Sequence, residues 1–117
     1  MDNKPKISLD DFKKLEIKIG QILSVEKVPD ADKLLKLSVD LGEESPRQII
    51  SGISLFFPDT QVLVGKRCAF AANLEPRVIR GLESQGMILA VNGGEGENTF
   101  FSLLEVLENV VPGSSVK

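Results

Sequence analysis

Along "LEIKIGQILSVEKV", Leu15, Ile17 and Ile19 alternate with Glu16 and Lys18, the two-residue period of a strand buried on one face. Gly20 interrupts, and the apolar phase moves to Ile22 or Leu23 and Val25, which predicts a strand that bends at the glycine. "VPDADK" is a turn, with Pro29 and Asp30 supplying the chemistry. "LLKLSVDLG" alternates again at Leu35, Leu37, Val39 and Leu41 and stops at Gly42, a second strand forming a hairpin with the first. "RQIISGI" reads as a third short strand. "SLFFPDTQVLVGK", broken by Pro58-Asp59, predicts a short helical connection. "KRCAFAANL" and "GMILAV" read as fourth and fifth strands, "NGGEGEN" as a hairpin tip, and "TFFSLL" as the return from it. Ser8, with Asp11 three residues later, signals the capped start of one short helix. Short bent strands joined by glycine and proline turns predict an all-β fold, a closed or partly closed five-stranded barrel with short helical connections. Pattern alone does not separate an OB-fold from an SH3-like barrel. The barrel is expected over about 15–91 and a C-terminal extension over about 92–117, within one domain.

Composition narrows the chemistry. The 117 residues suffice for one core and not for two. No apolar run approaches the roughly 18 residues of a membrane span and no signal segment opens the chain, so a cytoplasmic protein without membrane association is expected. Histidine is absent and Cys68 is the only cysteine. That excludes disulfides, Cys/His zinc sites and histidine-based nucleophilic triads. No catalytic residue, metal ligand or cofactor is expected, and Cys68, in an apolar alternating stretch, reads as a small buried hydrophobe.

The net charge of −3 is unevenly distributed: −2 over residues 1–46, +3 over residues 47–80 and −4 over residues 81–117. The positive third contains Arg47, Lys66, Arg67, Arg77 and Arg80. A local basic face is what nucleic-acid binding requires, whatever the total charge.

Six blocks in order, "FKKLEIKIGQI", "VPDADKLLKLSVDLGEE", "RQIISGI", "LVGK", "AANLEPRVIRG" and "ESQGMILA", resemble the tRNA-binding domain at the C-terminus of many bacterial methionyl-tRNA synthetases. The resemblance runs from about Phe12 to Lys117. It implies an OB-fold barrel with added C-terminal structure, tRNA binding without catalysis, and commonly a homodimer. It also implies a methionyl-tRNA synthetase catalytic chain as a partner, fused or separate. Met1 suits a free-standing chain, an excised domain being the alternative. Two departures stand out. The family's first strand usually reads Asp-Leu/Ile-Arg-Val-Gly, whereas Glu16-Ile17-Lys18-Ile19-Gly20 puts a less directional lysine at the arginine position. The loop in "NGGEGENTFF" also differs in length from the family's pattern.

Within the matching blocks, Arg77 and Arg80 are the expected phosphate contacts, Arg77 stiffened by Pro76 before it. Ser84 and Gln85 can bond 2′-hydroxyls and base edges, and Gly86 allows close backbone approach. Met87 either touches an unstacked base or ribose or opens a core strand. Glu83 is expected to orient a neighbouring arginine. Lys33, beside its turn, is the better RNA candidate, and Lys36 is solvated. Arg47, Ser51 and Asn73 are either rim contacts or turn-stabilising hydrogen bonds. With no Trp or Tyr and six Phe, stacking platforms are scarce, which favours recognition of folded RNA by shape.

The acidic extension holds Phe100, Phe101, Leu103, Leu104, Val106, Leu107, Val110 and Val111, a surplus that needs burial. These residues are the expected homodimer interface, with an intramolecular cap over the barrel as the alternative. A dimeric export chaperone or adaptor of the same fold is the competing function. An enzyme fits least, because no carboxylate pair is tied to a nucleophile or metal cluster.

Overall fold

The computed structural model describes residues 3–117; Met1, the expected start of a free-standing chain, lies outside them. Ser8 caps a single turn of helix, α1 (Leu9–Phe12), accepting from the Asp11 backbone N–H at 3.0 Å. A mostly β structure follows. Strands β1 (Ile17–Lys27), β2 (Leu35–Asp40), β3 (Arg47–Ser51) and β4 (Arg67–Ala71) join the short β7 (Met87–Ile88) in one antiparallel sheet of order β3-β2-β1-β4-β7. The sheet curls into a nearly closed OB-like barrel. β5 (Arg77–Ile79) and β6 (Leu82–Ser84) form a separate hairpin, and β8 (Ala90–Gly93) and β9 (Phe100–Leu103) form another.

The alternation expected in β2 holds: Leu35, Leu37, Val39 and Leu41 are all buried, packed with Ile22, Ile49, Leu63, Cys68 and Phe70. In β1 the buried phase is Ile22 and Val25, one of the two expected, and the structure corrects the place of the bend. The bend is a register shift between Ile22 and Ser24, not a break at Gly20, and Leu23 is exposed. Gly20 and Ile22 share the inward face, while Ile19 is buried outside the core cluster. Gly20 has a packing role instead, since a Cβ there would lie 2.6 Å from Val39 Cγ1, 2.8 Å from Leu41 Cδ2 and 3.0 Å from Phe70 Cδ1.

The connection after β3 consists of two 3-10 turns, Ser54–Phe56 and Thr60–Leu63, the second capped by Asp59 accepting from the Gln61 N–H. Leu63 from this connector is fully buried. The expected fifth strand is divided: β7 pairs with β4, and the chain then leaves to build β8.

The C-terminal tail completes backbone pairing. β2 reaches only as far as Gln21, so the β1 edge before it is open, and residues 113–116 bond there to Ile17 and Ile19. Along β4, beyond β7, Ala69 donates to Leu104 and Val106 donates to Arg67. The expected interface is therefore partly internal, as the cap alternative required. Leu103 belongs to the barrel core, and Phe101 packs on it, its ring stacked on Phe56 with centroids 4.1 Å apart. No helix among the described residues is long and apolar enough to cross a membrane.

Gly20→Ala is expected to lower stability by about 1–3 kcal/mol, because three buried side chains must move to admit one methyl. Urea unfolding with an unchanged m-value measures it.

Candidate nucleic-acid interface

The β5–β6 hairpin is what the sequence did not reveal. Its register pairs Arg77 with Ser84 and Ile79 with Leu82, leaving Arg80 and Gly81 as a two-residue turn. Both have positive φ, 53° and 79°, as a type I′ turn requires. Asparagine or aspartate normally takes the first of these positions, so arginine there hid the signal. A left-handed conformation in a residue with a Cβ costs roughly 1–2 kcal/mol.

The hairpin tip lies against the turn after β1. Arg80 and Ile79 line a groove of 460 Å³ with Asp30, Ala31, Asp32, Lys33 and Leu34. Among the described residues only Asp30 and Arg80 combine a side chain with positive φ, and both line this groove. Strain of this kind gathers where side-chain placement matters more than backbone ease.

Charge pairing separates the cations of the basic third. Lys66 pairs with Glu105 at 3.0 Å, and Arg67 donates to the carbonyls of Glu108 and Val110. Arg47 donates through Nε and Nη2 to the two Glu43 oxygens at 2.7 and 2.6 Å, and through Nη1 to the carbonyls of Ala72 and Gln85. Among the described residues no hydrogen bond or ion pair engages the side chains of Arg77, Arg80 or Lys33, and all three are exposed. Two strand residues separate Arg77 from Arg80, roughly 10 Å along the hairpin, too far to share one phosphate. Lys36 pairs across the ladder with Glu26 at 2.9 Å, in keeping with a solvated role.

Several expected RNA contacts face the protein instead. Ser84 is buried; its hydroxyl accepts from the Ile50 N–H at 3.0 Å and donates to the Gly86 carbonyl at 2.9 Å. Gln85 accepts through Oε1 from the Gln48 N–H and donates through Nε2 to Glu83, so Glu83 meets a glutamine rather than an arginine. Asn73 accepts from the Glu16 N–H at 2.7 Å and donates to the Lys14 carbonyl at 2.6 Å, the turn-stabilising alternative. The close approach at Gly86 is to the barrel itself: a Cβ would lie 3.0 Å from the Ala71 carbonyl oxygen. Ser51 is half-buried at the end of β3, opposite Leu35. Met87 is exposed on the short β7.

The family model for a putative tRNA binding domain matches residues 17–115. The chain belongs to this family. Curated relatives of the family member agree: it is 48% identical over 111 residues to the methionine–tRNA ligase of Myxococcus xanthus, covering 95% of this chain and 15% of the ligase. It is 41% identical over 113 residues to that of Lactiplantibacillus plantarum, covering 97% of this chain and 16% of the ligase. The chain thus spans only about a sixth of the length of these relatives. Among solved structures, a MetRS-related protein from Pyrococcus horikoshii matches with a TM-score of 0.84 at 35% identity, covering 97% of this chain and 100% of that one. The chaperone CsaA of Bacillus anthracis matches with a TM-score of 0.77 at 23% identity, covering 97% of this chain and all of that one, a likeness of fold alone.

Burial pushes the Cys68 thiol up to about 11, so it stays protonated. Among the described residues, the carboxyl of Glu43 is held below the ordinary glutamate range, chiefly through the hydrogen bonds from Arg47. A carboxyl lowered by folding stabilises the fold above its unfolded pKa, and that contribution is lost as pH falls through the folded value. Wild type is therefore expected to lose stability on acidification below the ordinary glutamate range more steeply than Glu43→Gln. Thermal midpoints across that pH window measure the difference.

Proposed function

We propose that this domain binds folded tRNA without catalysing its aminoacylation, and that the contact surface is the β5–β6 hairpin with the turn it faces. Arg77, Arg80 and Lys33 meet phosphates there, and Met87, exposed on β7, provides an adaptable apolar contact. The observation carrying this reading is the partition of the basic third: the other cations are tied into the barrel, while those on the hairpin are held out with no internal partner. Family membership supplies the nature of the RNA. Scarce aromatics favour recognition through backbone and 2′-hydroxyls, with weak selection among tRNAs. The domain acts in the cytoplasm beside a methionyl-tRNA synthetase catalytic body, fused or separate, raising the local concentration of tRNA.

Affinity for bulk tRNA is expected to fall with salt at a log–log slope of roughly −2 to −5, reflecting a few phosphate contacts. Arg77→Ala and Arg80→Ala each weaken binding by about 1–2 kcal/mol. Arg80→Gly weakens it equally while raising stability by about 1 kcal/mol, because glycine relieves the turn. A salt-series binding assay against an unstructured RNA of equal length is the test. Indifference to salt, or equal binding of the unstructured RNA, removes the reading.

The same proposal extends to a homodimer. Phe100, Leu104, Leu107 and Val111 remain exposed on the tail, Leu107 at 77%. Where the tail meets α1, Leu9, Phe12, Leu15 and Val116 line an apolar groove of 430 Å³. Apolar surface of this extent favours a second copy over water, and two barrels set at a fixed angle would clasp one tRNA. Sedimentation equilibrium at micromolar concentration should give the dimer mass, reduced to the monomer in a Phe12→Asp, Leu107→Asp double variant. A wild-type monomer that binds tRNA at full strength rules the clasp out.

A further inference from the structure

We propose that Arg47 is a positioning residue for RNA binding: it fixes the end of the β5–β6 hairpin to β3 and so sets where Arg77 and Arg80 stand relative to Lys33. The inference rests on the tRNA-binding reading above, and it gives Arg47 a role other than the rim contact with RNA that was one of its two readings from sequence.

The guanidinium joins three pieces of chain. One edge forms a two-bond fork with Glu43, which orients the plane. Nη1 then reaches two carbonyls, that of Ala72 just past β4 and that of Gln85 just past β6. A two-stranded hairpin is marginal by itself, and β5–β6 has no ladder to the barrel sheet. Its position is held by bonds that residues 83–85 make to β3. Gln48 donates to the Glu83 carbonyl at 2.9 Å, Gln85 donates to the Gln48 carbonyl at 2.8 Å, and Ser84 accepts from Ile50. Arg47 extends this set to the end of β4. Phosphate would have to displace Glu43 to reach the forked edge, and lysine, a point donor, cannot rebuild the fork.

Two variants of the full chain separate positioning from contact by the sign and salt dependence of their effects. Glu43→Ala removes a negative charge and frees the guanidinium. A phosphate-contacting Arg47 would then bind tRNA more tightly. Positioning predicts weaker binding, by about three- to tenfold, with the salt slope unchanged. Arg47→Lys, which keeps the charge, should fall similarly with an unchanged slope, whereas Arg80→Ala should make the slope shallower by about one. In the RNA-free protein, amide exchange at Gln85 and Ile50 should quicken in both Glu43→Ala and Arg47→Lys. Should Arg47→Lys not fold, Glu43→Ala, altered at a partly exposed side chain, decides alone. Unchanged or tighter binding by Glu43→Ala, or a slope shallower by one in Arg47→Lys, overturns this inference while wild-type binding stands. A wild type that binds no tRNA overturns the parent reading and this inference together.

Discussion

The structure depends on how the barrel is shut. A sheet of order β3-β2-β1-β4-β7 has two edges, and no ladder joins β3 to β7. Open edges carry unpaired N–H and C=O groups that invite pairing with other chains. Here the gap is bridged by residues 83–86, largely through side chains. Gln85 imitates a strand neighbour: its N–H donates to the Gln48 carbonyl, and its side-chain oxygen takes the place of a backbone carbonyl opposite the Gln48 N–H. Ser84 satisfies the buried Ile50 N–H, a group whose orphaning would cost roughly 1–3 kcal/mol. The same residues that close the barrel therefore aim the hairpin.

Polar side chains near a presumed binding surface are easily taken for ligand contacts. "ESQG" has the right residue types for 2′-hydroxyls, yet its serine and glutamine serve the closure. What remains for a ligand is the residue set that closure does not use. This division, with the pairing of Lys66 and Arg67 to the tail, leaves Arg77 and Arg80 on the outside beside Lys33, and it explains why the +3 stretch yields a small cationic surface rather than a broad one. Asp30 and Asp32 share the groove rim with Lys33 and Arg80, so the field there is local and directional, not a general attraction for polyanions.

Much of the barrel was legible because its determinants are local. Alternation marks β2 and its buried residues, the Ser8 cap marks α1, and Pro58-Asp59 marks the 3-10 connector. The β5–β6 hairpin was not legible, because arginine occupies the left-handed position at which a turn is usually recognised. The role of Gly20 was not legible for a different reason: a glycine in a strand permits a bend or a close approach, and only the neighbours Val39, Leu41 and Phe70 decide between them. The commitments of Arg47, Asn73, Ser84 and Gln85 were beyond the sequence too. Their hydrogen bonds to other elements link positions 25 to 59 residues apart, and residue type says that a group must bond, not to what.

The tail makes the last physical point. An acidic, apolar extension is an odd addition to an RNA-binding barrel, but its backbone occupies the β1 and β4 edges that the five strands leave open. Leu103 and Phe101 anchor it, and Glu105 and the carbonyls of Glu108 and Val110 engage Lys66 and Arg67. The extension thus draws those two cations into its own support. Under the proposed function this has a consequence for RNA: of the basic third, only the hairpin's Arg77 and Arg80 are left for it, with Lys33 on the facing turn, which favours a tRNA at that end of the barrel. A few phosphate contacts on an otherwise acidic protein suit delivery, since a partner held by more would be slow to leave.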